Sequence, residues 1–285
     1  MSDTELMDNS YGGLLDADVD HRYAYGTGFA DPLAGVDPTV PDDVERGALS
    51  AACLALGDDA LVLSHRLQQW VTRAPELEEE TALANVALDL LGQARLLLTR
   101  AGQADGSGHD EDWFAFRRSA SDLRNVRLVE RGDADFAELV ARLLVFSTWR
   151  LAAFERLRAC ADPVLAAVCG RGVSELAYHR EYAAGWVVRL GDGTETSHSR
   201  MQAALATAWP YLDELLSGDL MGVDVAALRP GVEGVLGEVL AQAGLPAPVV
   251  AADDGGGRAG RHTPALDEVL EELQSVAREH PEATW

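Results

Sequence analysis

The sequence predicts an all-α protein built around a bundle of four long helices, with further helices toward the C-terminus. Apolar residues recur at alternating spacings of three and four over long stretches, which is the period of one face of an α-helix. No stretch alternates apolar and polar residues as a half-buried strand would. Helices of about 25 residues extend roughly 37 Å at 1.5 Å per residue, so the four can pack along their whole length.

The first two helices are predicted over residues 49–70 and 76–98. The apolar seam of the first consists of Leu49, Cys53, Leu56, Ala60, Leu63, Leu67 and Trp70. Pro75 marks the boundary between the helices, and "ELEEE" at 76–80 places carboxylates at the positive end of the second. Segment 101–112 ("AGQADGSGHDED") is predicted to be a loop, because Gly, Asp and Ser favour turns.

The rest of the chain continues the helical pattern. The predicted elements are a third helix from Asp135 to Cys160, a fourth from Pro163 to Leu190, a fifth around Met201–Leu216, a weaker helix after Pro230 and a last helix through about Glu279. Pro210 is expected to bend the fifth helix. Thr263 is the expected N-cap of the last helix, with Pro264 at its first position.

Composition divides the chain into two parts. Residues 1–45 contain 11 acidic residues against Arg22 alone and are rich in Gly and Pro. Such a segment buries too little apolar surface to offset the entropy of ordering. We therefore predict an acidic disordered extension at 1–45 and a helical domain at 46–285, with the core bundle at about 49–190 and accessory helices at 200–285.

The charge argues against some partners and leaves others open. The chain has 23 Lys and Arg against 47 Asp and Glu, a formal charge of −24. Nucleic-acid binding requires the opposite sign, so we expect a strongly hydrated surface instead. A basic cluster at 117–127 ("RRSASDLRNVR") is compatible with the binding of an anionic ligand.

The cysteines and the N-terminus predict a cytoplasmic protein. Cys53, Cys160 and Cys169 are an odd number without a Cys-x-x-Cys pair, so we expect reduced, buried thiols. The start of the chain has no basic region followed by an apolar one, as a signal peptide would. No uninterrupted apolar run is long enough for a membrane-spanning helix.

A ferritin-like four-helix bundle raises the question of a dinuclear metal site. Such a site takes a carboxylate from each of two helices and a Glu-x-x-His pair from each of the other two. Only His198 has a glutamate three residues before it, Glu195, and both lie in the predicted turn 191–199, outside the core. On the first helix, the nearest carboxylates, Asp58 and Asp59, are expected close to its start.

The polar residues at mid-depth predict a degenerate metal site. On the fourth helix, Glu175 stands four residues before His179, where the ligand spacing requires three. On the second, Asp89 is followed three residues later by Gly92, where a ligand histidine would be needed. Arg150 on the third would repel a metal ion. We interpret Asp89, Glu175 and His179 as a pseudo-site that forms a buried polar network with Arg150; a mononuclear or atypical metal site is the alternative.

Segment 255–263 ("GGGRAGRHT") allows two interpretations. A flexible connection is the first, since the segment lacks the preceding strand and spacing of a P-loop. The second is an anion-binding loop, in which Arg258, Arg261 and His262 would hold a partner carboxylate or a CoA phosphate.

Several stretches resemble the C-subunit family of the bacterial phenylacetyl-CoA 1,2-epoxidase: "LGDDALVLSHRLQQW" (56–70), "APELEEETALANVALDLLGQARLLL" (74–98), "YHREYAAGWVVRLGDGT" (178–194) and "GRAGRHT" (257–263). The likeness covers about 49–217 and 257–285, while 1–45 has no counterpart. It implies a ferritin-like, non-catalytic structural subunit that pairs with the homologous di-iron catalytic A subunit in aerobic phenylacetate catabolism.

The resemblance also implies where the cofactors of the complex lie. The catalytic A subunit would hold the di-iron centre, and a reductase would hold flavin and an iron–sulfur cluster. Phenylacetyl-CoA would bind near the interface with the catalytic A subunit. No catalytic, cofactor-binding or metal residue is implied for this chain. A self-sufficient di-iron oxygenase and a stand-alone helical scaffold are the alternatives.

Overall fold

A computed structural model of the chain describes residues 33–283, and its fold is all-α, as predicted. The helices are α1 (Arg46–Gln68), α2 (Leu77–Asp105), α3 (Glu111–Phe116), α4 (Phe136–Leu157), α5 (Pro163–Gly191), α6 (Glu195–Ala208), α7 (Leu212–Leu215), α8 (Arg229–Gln242) and α9 (Pro264–Glu279). Two short strands, β1 (Asp219–Leu220) and β2 (Val223–Asp224), pair antiparallel. The sequence patterns do not predict this small hairpin.

The helix starts follow local capping chemistry. Asp135 and Asp162 each accept a hydrogen bond from the backbone N–H three residues on, and Pro163 occupies a position where no N–H is needed. Thr263 lies at the predicted N-cap of α9 but makes no side-chain capping bond. Its hydroxyl instead donates to Oε2 of Glu130 at 2.6 Å, which connects the start of α9 to the segment before α4.

The four long helices form the bundle. α1 packs against α2, α4 packs against α5, and contacts between α2 and α5 join the two pairs. The largest fully buried apolar side chains lie between them and include Leu56, Leu63, Leu90, Phe146, Trp149 and Phe154. α6 and α8 pack on α4, and α9 packs against α1 and α3. α1 and α4 are therefore covered on several sides.

Three predicted boundaries are wrong, and one of them is the predicted turn 191–199, because α6 already begins at Glu195. The predicted loop at 101–112 is largely helical, because α2 continues to Asp105 and α3 begins at Glu111. Gly106, with φ of 75°, ends α2 in the left-handed conformation. The third bundle helix ends at Leu157 rather than Cys160.

α1 and α2 are long and apolar enough to cross a membrane, with mean hydropathies of 1.4 and 1.2 over their most apolar windows. Within the fold, 78% of the α1 window and 44% of the α2 window is buried. Core helices of globular proteins pass the same test, so the two helices are weak evidence for a membrane.

The segment before α1 lies against the bundle. Val40 and Val44 are buried, and the backbone oxygen of Pro38 accepts a hydrogen bond from Arg100 of α2 at 2.5 Å. Residues 33–45 belong to the predicted extension, and the rest of that prediction, residues 1–32, lies outside the described residues.

Candidate functional site at the centre of the bundle

An arginine lies at the centre of the bundle. Arg150 of α4 is fully buried. Its Nε donates to Oε1 of Gln93 on α2 at 3.0 Å, and its Nη1 donates to the backbone oxygen of Leu56 on α1 at 3.1 Å. The ring centre of Phe154 lies 4.5 Å from the guanidinium carbon. Burial lowers the pKa of Arg150 to about 10, against the opposing charge of Asp59, so the side chain is charged at neutral pH.

Glu175 connects to this arginine through Gln93. Nε2 of Gln93 donates to Oε2 of Glu175 at 2.9 Å, and Nε of Arg171 donates to Oε1 at 2.9 Å. The amide of Gln93 thus accepts from Arg150 on one side and donates to the carboxylate on the other. Sequence reasoning missed Gln93, because a neutral glutamine in an apolar helix does not stand out as a site residue.

Asp89 and His179 form a separate pair. Nε2 of His179 lies 3.0 Å from Oδ2 of Asp89. The histidine is fully buried, its Nδ1 has no hydrogen-bond partner among the described residues, and the aspartate side chain is 37% exposed. Gly92 is exposed, and a Cβ at this position would meet no atom within 4 Å, so it faces away from the core. Asp89, Glu175 and His179 therefore make two separate contacts on the α2–α5 seam.

Asp58 and Asp59 lie in the middle of α1, not near its start as predicted, because α1 begins at Arg46. Both are fully buried. Asp58 accepts from both terminal nitrogens of Arg118, one of them at 3.0 Å. Asp59 accepts from Nη1 and Nη2 of Arg258 at 2.9 and 2.7 Å. Each carboxylate thus has a bidentate arginine partner, the geometry that best compensates a buried charge.

The same two carboxylates also hold the backbone that follows α3. Asp58 accepts from the N–H of Arg124, and Asp59 accepts from the N–H of Val126, both at 2.8 Å. Burial raises the pKa of Asp59, while Arg258 acts in the opposite direction. The two aspartates therefore act as anchors between α1 and neighbouring segments.

Glu130 is a third buried anchor. Its side chain accepts from Asn125 at 3.0 Å, from Nδ1 of His262 at 2.6 Å, and from the N–H and hydroxyl of Thr263 at 2.8 and 2.6 Å. Nε2 of His262 lies 3.1 Å from the backbone oxygen of Leu123, which can only accept. The ring is therefore held between the carboxylate of Glu130 and the backbone oxygen of Leu123.

Segment 255–263 is held by these buried bonds, so the interpretation as a flexible connection is wrong. Arg258 and His262, two of the groups considered for an anion, are bound to carboxylates of the chain itself. Glu214 accepts from the N–H of Gly257 at 2.8 Å. A Cβ at Gly257 would lie 2.1 Å from the backbone oxygen of Asn125, so only glycine fits this close approach.

The one Glu-x-x-His match lies at the end of the bundle. Glu195 and His198 are on the first turn of α6. Nδ1 of His198 lies 2.6 Å from the backbone oxygen of Gly191, and because a carbonyl can only accept, this nitrogen carries the proton. The pair therefore belongs to a helix outside the four long ones.

The cysteines lack the properties of nucleophiles. Cys53 and Cys169 are fully buried, and desolvation raises the pKa of both thiols. Cys160 is half-buried, and its Sγ lies 3.4 Å from the backbone oxygen of Asp162. A raised pKa disfavours the reactive thiolate.

The donor set at the centre does not fit a dinuclear metal site. Such a site requires four carboxylates and two histidines around one point, whereas the side chains hydrogen-bonded to one another at the centre are a guanidinium, an amide and one carboxylate. Among residues 33–283, three carboxylate, His or Cys ligand atoms come within 4.8 Å of one another only at Glu76, Glu78 and Glu79, on the surface at the start of α2. The contacts at the centre join α1, α2, α4 and α5 to one another.

The fold and this centre define a class: a ferritin-like helical bundle with a protein cation at its middle. The family model described as "Phenylacetic acid catabolic protein" matches residues 35–285. The chain is 40% identical over 246 residues to the C subunit of the 1,2-phenylacetyl-CoA epoxidase of Escherichia coli (strain K12), a match that covers 83% of this chain and 99% of that relative. This chain belongs to the phenylacetic acid catabolic protein family, which confirms the resemblance that the sequence suggested.

Proposed function

We propose that this chain is a non-catalytic structural subunit of a multicomponent phenylacetyl-CoA epoxidase, paired with the di-iron catalytic A subunit in the cytoplasm. The observation that carries the proposal is the fully buried Arg150, whose guanidinium touches α1 and α2 from α4. The name of the similar Escherichia coli protein, which is the C subunit of the epoxidase, supports the assignment to this complex.

Electrostatics explain why the arginine argues against chemistry in this chain. A fixed positive charge repels divalent metal ions in a low-dielectric interior. The nearby carboxylates are already satisfied, since Asp59 binds Arg258 and Glu175 binds Gln93 and Arg171. Loading the centre with metal would require the bundle to break these bonds and leave an uncompensated guanidinium.

The chemistry of the complex would then belong to its other subunits. Under this proposal, the catalytic A subunit supplies the di-iron centre, a reductase supplies electrons through flavin and an iron–sulfur cluster, and this chain supports the helices of its catalytic partner. Phenylacetyl-CoA would bind close to the interface of the two subunits.

The test is a metal measurement paired with a binding measurement. The chain and its catalytic partner are each reconstituted anaerobically with iron, and bound iron and manganese are counted per polypeptide, with the partner as the positive control. We expect essentially no metal on this chain, co-purification of the two proteins, and turnover of phenylacetyl-CoA only when the partner is present. About two metal ions per chain would instead make it a self-sufficient oxygenase, and a folded chain that does not bind the partner would be a stand-alone scaffold. Either result refutes the proposal.

A further inference from the structure

α2 and α5 expose apolar side chains on their outer side. Leu77 and Leu88 of α2 are 72% and 61% exposed, and Tyr178 of α5 is 49% exposed. Most residues of α1 and α4, by contrast, are buried. Large apolar side chains exposed close together on a folded domain mark interaction sites.

Two hydrogen bonds place these side chains in one patch. Asp89 pairs with His179, and Gln93 pairs with Glu175, so α2 and α5 run antiparallel at a fixed register. Leu88 and Tyr178 directly precede the first pair in sequence and therefore lie at nearly the same level of the bundle.

Leu77 extends this patch along α2. It lies eleven residues before Leu88, which is three helical turns, so both point to the same side of the helix about 16 Å apart. Leu77, Leu88 and Tyr178 are called the α2–α5 face below. Its half-exposed carboxylate, Asp89, lies beside Leu88 in the middle.

The end of this face carries negative charge without compensation. Carboxylate oxygens of Glu76, Glu78 and Glu79 lie within 4.8 Å of one another, and none of the three is in an ion pair within the described residues. Oε2 of Glu79 is buried without a hydrogen-bond partner there. Like charges this close repel one another, and buried acceptors call for donors.

We infer that the α2–α5 face is the docking surface for a helical partner protein with an apolar centre and Lys or Arg side chains at one end. The basic end would meet Glu76, Glu78 and Glu79, and the apolar centre would cover Leu77, Leu88 and Tyr178. If the proposed function is correct, on which this step rests, the helical partner is the catalytic A subunit of the epoxidase. A second copy of this chain fits poorly, since its formal charge of −24 would oppose the acidic end.

Matched arginine substitutions test the surface. L88R and Y178R place a charge at the centre of the α2–α5 face, and V276R places one on α9, where Val276 is 52% exposed. All three sites are exposed, so far-ultraviolet circular dichroism should match wild type. We expect the Kd for the purified catalytic partner to rise at least about tenfold, or 1.4 kcal/mol, in L88R and Y178R and to stay unchanged in V276R.

Charge is tested separately. Binding of wild type to the catalytic partner should weaken as salt is raised, and E78K should weaken it further and reduce this salt dependence, because the acidic end attracts the basic end of the partner. A Kd that does not depend on salt would refute the inference that the partner presents Lys or Arg side chains to this acidic end.

The outcomes separate this inference from the proposed function. If wild type does not bind the catalytic partner, the proposed function fails. If wild type, L88R and Y178R all bind the catalytic partner equally well, the proposed pairing of the two subunits is supported, but the α2–α5 face is not the docking surface. If these variants abolish a dimer of this chain on size-exclusion chromatography while leaving binding to the catalytic partner intact, the occupant is a second copy and the inference is overturned.

Discussion

Glu130→Gln is the substitution that most sharply tests the buried network. Glutamine has the same shape but converts one carboxylate oxygen into an NH2 group, while all four hydrogen bonds to the Glu130 carboxylate come from donors. At least one buried donor then loses its acceptor, which costs about 1–3 kcal/mol, and the others become neutral hydrogen bonds worth roughly 0.5–1.5 kcal/mol each instead of roughly 1.5–3 kcal/mol. Part of this is recovered, since the hydroxyl of Thr263 can rotate away from the new NH2 group. We expect a net loss of about 3–5 kcal/mol in the free energy of unfolding.

The assay is urea denaturation at neutral pH, followed by circular dichroism. Glu233→Gln is the matched control: it makes the same chemical change at an exposed ion pair with Arg229, 2.9 Å long and four residues apart, where about 0.3–0.5 kcal/mol is expected. A Glu130→Gln protein within about 1 kcal/mol of wild type would refute the view that this carboxylate holds α9 to the bundle.

The remaining predictions concern packing and the thiols. Gly172→Ala should destabilise the chain by about 1–3 kcal/mol, because its Cβ would lie 2.7 Å from the ring of Phe154. Gly170→Ala on the same helix, where a Cβ would meet no atom within 4 Å, should stabilise the chain by about 0.5–1 kcal/mol. Thermal melts in which both substitutions shift the melting temperature in the same direction would contradict the close packing of Gly172 against Phe154. Cys53 and Cys169 should resist a thiol reagent at neutral pH and react only after denaturation. Both are buried, and their raised pKa values keep the reactive thiolate scarce until the pH rises toward those values. Fast labelling of either cysteine in the native chain would contradict this prediction.

Helical periodicity was sufficient to predict the bundle. The 3/4 spacing of apolar residues indicates which side of a helix is buried, so α1, α4, α5 and α9 were expected close to their observed bounds, whereas α2 was expected to end before residue 101 and continues to Asp105. The prediction of a loop at 101–112 was wrong because Gly, Asp and Ser favour turns only where tertiary packing does not override their local preference. Phe114 of α3 is buried, and this packing stabilises a short helix in a polar stretch.

The candidate site was only partly predictable, because its partners are distant in sequence. The sequence predicted that Arg150, Glu175 and His179 lie at mid-depth of the bundle. It could not show that Gln93 stands between Arg150 and Glu175, since a pairwise contact across helices depends on their rotation and register. The adjacent Asp58 and Asp59 in an apolar helix were a usable signal: buried carboxylates require cations, although the sequence does not say which.

The arginines that pair with Asp58 and Asp59 come from outside the four long helices, so the folding of the bundle is coupled to that of the segments that carry them. Arg118 follows α3, and Arg258 precedes α9. If the C-terminal segment detached, Asp59 would remain as an uncompensated charge within α1, a penalty of several kcal/mol. If the bundle opened, Arg258 would lose both of its hydrogen bonds to Asp59. Bundle and C-terminal helices therefore stabilise each other through ion pairs, so an arginine-centred bundle can stay folded without relying on metal ions to neutralise its carboxylates.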